Sequence, residues 1–146
     1  MISITASDFI KLFNAQNINI TARGYEISDI VKFDKTNFNC SGASFENCTF
    51  KEGLEFKDIT VVSENGIKIE ECKAKIILFK NVNITCPEGF YDEDDIFFDD
   101  ARFKIRINNS QIESSIEIKS CKTEGRVDFN KLTVNGIIVD NSIVNI

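Results

Sequence analysis

The chain has 146 residues, 42% apolar and 27% charged, with a formal charge of −6. That composition fits one domain with a core of its own and excludes intrinsic disorder. Histidine is absent, so imidazole triads, His general bases and the zinc sites that combine Cys with His cannot be built from this chain alone.

The start, Met1-Ile2-Ser3-Ile4-Thr5, has no basic segment followed by an apolar run, and no later stretch approaches the ~20 apolar residues a bilayer requires. The expectation is a soluble, cytoplasmic protein. Five cysteines, Cys40, Cys48, Cys72, Cys86 and Cys121, are odd in number and lack any CxxC pair, which predicts reduced, mostly buried thiols. Residues 5–15 read as a short helix with Ser7 as N-cap, Asp8 at the positive end and Phe9, Ile10, Leu12 and Phe13 on one apolar stripe. Its expected role is to cap the first coil of a repeating structure.

From residue 31 a pattern recurs nine times: apolar-x-apolar, two spacers, a small or β-branched residue, a spacer and usually another apolar residue. The copies begin at Val31, Ala43, Leu54, Ile67 and Ile77, then at Ile105, Ile116, Val127 and Ile137. Their central residues, Phe33, Phe45, Phe56, Ile69, Phe79, Ile107, Ile118, Phe129 and Val139, advance by about eleven. They are expected to form an inner stack, with Phe38, Phe50, Val61, Ile84, Ile112 and Val134 on a second face. Gly42, Gly53, Gly66, Gly125 and Gly136 fall between copies and suit tight turns. Pairs such as Glu46-Asn47, Lys57-Asp58, Glu70-Glu71, Lys80-Asn81 and Asn108-Asn109 are placed at wet corners. Alternation over three to five residues predicts short strands. Such strands bury their inner face when stacked coil on coil, each hydrogen-bonded to the next. A hairpin sandwich has similar strand spacing but does not require the same residue class at the same offset in every copy.

Many copies split into two steps of five, as in Ala43-Ser44-Phe45-Glu46-Asn47 followed by Cys48-Thr49-Phe50-Lys51-Glu52, or Leu54-Glu55-Phe56-Lys57-Asp58 followed by Ile59-Thr60-Val61. This resembles the pentapeptide-repeat family, strongest over residues 43–61 and looser over 31–84 and 105–146. It departs where Ile or Leu replaces the small residue and where one or two residues are added after each pair of fives. The resemblance implies an all-β, right-handed parallel β-helix. A more generic β-helix with two copies of the beat in each coil is the other form; either gives four to five coils in a single domain, 1–146. Within it, 1–16 form the cap, 17–85 and 101–146 the β-helix, and 86–100 an insertion. Cys48, Cys72 and Cys121 share one inward offset and are expected to be structural.

The insertion interrupts the beat and carries seven of the 23 acidic residues with no basic one. The remaining chain, with 16 acidic and 17 basic residues, is nearly neutral. Phe90, Tyr91, Phe97 and Phe98 interleave with Asp92, Glu93, Asp94, Asp95, Asp99 and Asp100, a like-charge concentration that folding alone gives no reason to keep. These ten residues are the candidate partner-binding site. Arg102, Lys104 and Arg106 alternate just beyond it and are assigned to neutralising the acidic run. No calcium loop of the EF-hand spacing is present, and no metal or other cofactor is expected.

The functional expectation is a non-catalytic protein that presents an acidic, aromatic surface to a basic partner, such as a nucleic-acid-binding enzyme. The resemblance adds that some pentapeptide-repeat proteins mimic DNA toward topoisomerases. A structural or assembly role is the alternative, and a carbohydrate-active enzyme the least favoured, because no carboxylate pair recurs on one ladder. Direct nucleic-acid binding is disfavoured by the lack of clustered cations. The final copy leaves Ile137, Val139, Ile143, Val144 and Ile146 as a candidate homodimer edge.

Overall fold

A computed structural model describes residues 1–16, 18–87 and 103–146. Strand β1 (Ile2–Ile4) and helix α1 (Ala6–Lys11) precede fourteen further strands among the described residues, all paired in parallel and wound into a β-solenoid of about five turns. The coil has four faces. The first carries β2 (Asn19–Arg23), β5 (Gly42–Glu46), β8 (Ile67–Glu70), β11 (Phe103–Asn108) and the second half of β13 (Lys122–Asn130). The second carries β1, β3 (Tyr25–Ile27), β6 (Thr49–Phe50), β9 (Lys73–Ala74) and the first halves of β12 (Gln111–Lys119) and β14 (Thr133–Asp140). The third carries β4 (Val31–Phe33), the first halves of β7 (Leu54–Val62) and β10 (Ile77–Thr85), and the second halves of β12 and β14. The fourth carries the remainder of β7, β10 and β13, then β15 (Ile143–Asn145).

One coil therefore consumes two copies of the beat. Val31 aligns with Leu54, Leu54 with Ile77 and Ile116 with Ile137, in each case passing over one intervening copy or its equivalent. The central residues consequently form two stacks on opposite faces: Phe33, Phe56, Phe79, Ile118 and Val139 on the third, Ala22, Phe45, Ile69, Ile107 and Phe129 on the first. Phe33 stacks on Phe56 at 5.2 Å and Phe56 on Phe79 at 5.0 Å, while Phe45 reaches across the interior to Phe33 at 6.0 Å and Phe56 at 5.9 Å. The expected second face also divides: Phe50, Ile112 and Val134 lie on the second face, Val61 and Ile84 on the fourth.

Only the first of the sharp corners is a glycine, Gly24 (φ 78°), whose N–H donates to Glu46 O at 3.0 Å; the later ones are made without glycine. Asn47, Asp58, Glu71, Asn81, Asn109, Ser120, Lys131 and Asn141 all have φ between 48° and 55°, each two residues after a central apolar residue. Four are Asn and one is Asp, the side chains that best tolerate the left-handed region. The glycines, expected at turns, divide differently. Gly42, Gly125 and Gly136 lie inside strands β5, β13 and β14, whereas Gly53 and Gly66 lie between strands at positive φ.

The corners followed by Cys or Ser share one wiring. The corner N–H donates to the residue before the corner one coil on: Asn47 to Glu70 at 3.0 Å, Glu71 to Asn108 at 3.1 Å, Asn109 to Asn130 at 3.0 Å and Ser120 to Asp140 at 3.0 Å. The following residue points inward, and its side chain donates to the carbonyl two residues back: Cys48 to Glu46 (3.4 Å), Cys72 to Glu70 (3.3 Å), Ser110 to Asn108 (2.8 Å), Cys121 to Lys119 (3.3 Å) and Ser142 to Asp140 (2.9 Å). Where that residue is Ser, its Oγ also accepts the buried N–H below it, from Cys72 to Ser110 (3.1 Å) and from Cys121 to Ser142 (2.9 Å). A small donor-acceptor side chain fits this position because an unpaired buried N–H is costly. All five cysteines are free, and Cys40, Cys48, Cys72 and Cys121 are buried. The hydrogen bond with Cys48, together with burial, pushes the Cys72 thiol well above its ordinary value, and burial raises Cys40 and Cys121. These three thiols stay protonated, and Cys72 and Cys121 donate to backbone carbonyls, as structural cysteines should.

At the start of the chain α1 closes the solenoid. Its N-cap is Thr5, whose Oγ1 accepts from Asp8 N at 3.0 Å; Ser7, the expected cap, lies inside the helix because Thr5 supplies the extended cap conformation two residues earlier. Asp8 occupies the first turn as expected. Phe9 and Phe13 are fully buried, contacting Phe50 at 5.7 Å and Phe33 at 5.1 Å, whereas Leu12 is exposed. Among the described residues no helix is long and apolar enough to cross a membrane.

Two outcomes are expected from this packing. Phe45→Ala should cost about 3–5 kcal/mol in urea unfolding, the usual loss on deleting a sealed aromatic; Phe129, only half-buried on the last coils, should cost roughly half as much. Ser110→Ala should cost about 1–3 kcal/mol because Cys72 N–H loses its acceptor, while Ser110→Cys should remain within about 1 kcal/mol of the parent.

Candidate partner-binding site

The solenoid fixes where the insertion leaves and returns. It departs at the end of β10 on the fourth face and comes back at β11 on the first. Ile67 aligns with Ile105 and Ile77 with Ile116, steps more than half as long again as those from Val31 to Leu54, Ala43 to Ile67 or Ile116 to Ile137. The register is thus continuous across the insertion, and the surplus residues are not needed to complete a coil. Phe90, Tyr91, Asp92, Glu93, Asp94, Asp95, Phe97, Phe98, Asp99 and Asp100 lie outside the described residues, as does Arg102.

On the departing side, half-buried Cys86 donates from Sγ to Glu124 O at 3.1 Å. On the returning side the alternation expected of Arg102, Lys104 and Arg106 fails. A bulge between Phe103 and Ile105 turns Lys104 inward, where it is fully buried. Its Nζ donates to Ser63 O at 3.0 Å and Glu64 O at 2.6 Å. The turn it clamps is held by Ser63 Oγ, which accepts from Gly66 N at 2.7 Å and Asn65 N at 3.2 Å. Gly66 is required twice: its φ is +65°, and a Cβ there would lie 2.1 Å from Lys104 O. The sequence signal for this clamp is the Ser63-Glu64-Asn65-Gly66 turn one coil below the bulge, which the eleven-residue beat treats as an ordinary spacer.

Arg106 keeps its outward position. Its guanidinium lies 4.4 Å from the Phe103 ring centroid and 3.6 Å from Asp128, and Arg126 approaches the same ring at 5.6 Å. A cationic, aromatic border therefore flanks the return of an acidic segment. Sequence alone does not assemble this border, because Arg126 is brought in from the next coil.

Elsewhere the rod pairs its own charges across coils: Arg23 Nε to Glu46 at 2.7 Å, Lys51 to Glu26 at 3.0 Å and Lys75 to Glu52 at 3.7 Å. Such exposed pairs contribute little stability. A shallow groove of about 370 Å³ on the second face, lined by Lys51, Lys73, Lys75, Gln111 and Glu113 among others, has a single carboxylate. Among the described residues no group of three or more metal-ligating side chains converges.

The last coil presents the remaining candidate residues. Ile137 and Val139 are 41% and 39% exposed, although Ile116 and Ile118 at the same inward positions one coil below are 0%. Val144 is half-buried, and Ile143 and Ile146 are exposed. Val139 thus belongs to the inner stack by direction but not by burial, because among the described residues no coil lies above it. In comparison with known proteins, the chain matches no family, no curated protein and no solved structure.

The clamp has a measurable consequence. Lys104→Met should lower stability by about 2–4 kcal/mol, since two carbonyls lose a charged donor in a buried setting. Urea denaturation checks it; a loss under about 0.5 kcal/mol would mean that water replaces the ammonium without penalty.

Proposed function

We propose that this protein is a non-catalytic binding module in which a rigid, charge-balanced β-solenoid carries residues 86–100 as an acidic, aromatic contact for a basic protein surface, with a nucleic-acid-binding enzyme as the preferred class of partner. The observation that carries this reading is the register itself: Ile67 pairs with Ile105 and Ile77 with Ile116 as though the insertion were not there. The solenoid closes without these residues, yet they hold seven of the 23 acids. Residues that neither complete a coil nor balance the rod's charge are best accounted for by something outside it. In this reading Asp92, Glu93, Asp94, Asp95, Asp99 and Asp100 steer association, and Phe90, Tyr91, Phe97 and Phe98 anchor the complex. Concentrated acidity of this kind competes for surfaces built for phosphate, so the module acts as a DNA mimic and inhibitor of its partner.

The finer ancestry is part of the same proposal: a degenerate relative of the pentapeptide-repeat proteins. Two steps of five per half-coil are supported by the corner residues, and coils slightly longer than four fives, as from Leu54 to Ile77 or Ile116 to Ile137, accommodate the additions after each pair of fives.

The test compares the parent chain with a variant whose residues 88–100 are replaced by a Gly/Ser linker. Both are immobilised and used to capture proteins from a bacterial lysate in the presence and absence of duplex DNA. The expected result is a basic nucleic-acid-binding protein retained only by the parent and displaced by DNA. Equal capture by both proteins, or capture indifferent to DNA, would remove the insertion from the interface. The linker variant should melt within a few degrees of the parent, since the coil register does not depend on the replaced residues.

A further inference from the structure

The two ends of the solenoid are built differently. At one end Phe9 of α1 and Phe13, two residues past its end, are sealed against the first coils. At the other, β14 pairs only with β12 and β15 only with β13, so among the described residues their outer backbone edges have no strand above them. Phe129, Leu132, Val134, Ile137, Val139 and Val144 form the last rung; all are only partly covered or exposed, in contrast to the fully buried rungs beneath. An unpaired edge over an apolar floor is a template for another chain.

We infer that this end face is an isologous homodimer interface, occupied by the same face of a second copy of this chain. A head-to-tail stack would have to place the open face on a second copy's first coil, where α1 already covers the apolar floor. Stacking open face on open face about a two-fold axis perpendicular to the solenoid satisfies both edges at once, with antiparallel pairing across the junction, and it closes after two copies.

Charge supports the same operator. The left-handed corners Lys131 and Asn141 sit between the first and second faces and between the third and fourth, so they are diagonally opposed. Asp140 immediately precedes the second of these corners, and Lys131 and Asp140 are both exposed. A two-fold passing through the other two corners exchanges the diagonal, setting Lys131 of each copy over Asp140 of the other. The rim is then self-complementary, as an isologous contact requires, and the apolar rung meets itself at the centre.

The experiment is sedimentation equilibrium on the full chain at micromolar concentration, with circular dichroism to establish folding of each variant. The parent should sediment at twice the 16.5 kDa chain mass. Ile137→Lys with Val139→Lys should be folded and monomeric. Lys131→Asp alone and Asp140→Lys alone should each weaken dimerisation by about tenfold or more, and the double reversal should restore it, because the pairs re-form with opposite sign. A monomeric parent, a mass that grows with concentration beyond the dimer, a dimer that survives both Lys substitutions, or a double reversal no better than the singles would each overturn the inference. None of these outcomes depends on the insertion, so failure here leaves the proposed partner contact to its own test.

Discussion

The fold depends on the hydrogen bond that leaves a left-handed corner and ends on the carbonyl before the corner in the next coil, as at Asn47, Glu71, Asn109 and Ser120. That contact ties the sharpest bend in the chain to the position of the coil above, so the bend and the coil spacing cannot be set independently. Three side-chain requirements descend from it. Two residues before the corner a large apolar group fills the interior, at the corner a residue must accept positive φ, and one residue later a Cys or Ser serves the carbonyl behind, Ser also accepting the amide below. The last requirement explains why Cys and Ser interchange at these positions. Ile59, Val82 and Leu132 stand at the same offset and contribute apolar volume in place of those hydrogen bonds.

This logic is partly legible in the chain. Period-two alternation over short spans, repeated at a fixed beat, identifies inward residues because an apolar side chain at the same offset in every copy has only one place to go. Hence the Phe and Ile positions, the buried thiols and the wet corner pairs can be read directly, except that Asn108, expected to be wet, is buried. That two copies of the beat make one coil is readable from the steps of five, but that their central residues stand on opposite faces is encoded only in which strand pairs with which. The sequence around Phe33 and Phe45 looks alike on both faces, so one stack and two opposed stacks give the same pattern. The strand Ile2–Ile4 is hidden for a related reason: without a preceding copy, three residues carry no periodicity.

The candidate site is legible in composition and not in contacts. Net charge and aromatic content pick out residues 86–100 against a balanced background, and register shows where they are attached. The local break of alternation at Lys104 is not legible, since a bulge is recognised by what it faces. Here it faces a turn closed by Ser63 and made passable by Gly66, both far earlier in the chain. Lys104 looks like one member of a basic triplet and functions instead as a fastening between successive coils, at the place where the ladder is most interrupted.

The aromatic rings are distributed unevenly along the rod. Phe9, Phe13, Phe33, Phe38, Phe45, Phe50, Phe56 and Phe79 form one connected set of ring contacts, whereas the corresponding positions beyond the insertion are mainly Ile and Val. In a linear array each coil is stabilised chiefly by its neighbours, and units of unequal stability open separately. During synthesis the aromatic half leaves the ribosome first and can close under its helix before the insertion has been translated. The later coils then add to a finished template one at a time, so the nascent chain never has to search for register without a completed coil to pair with.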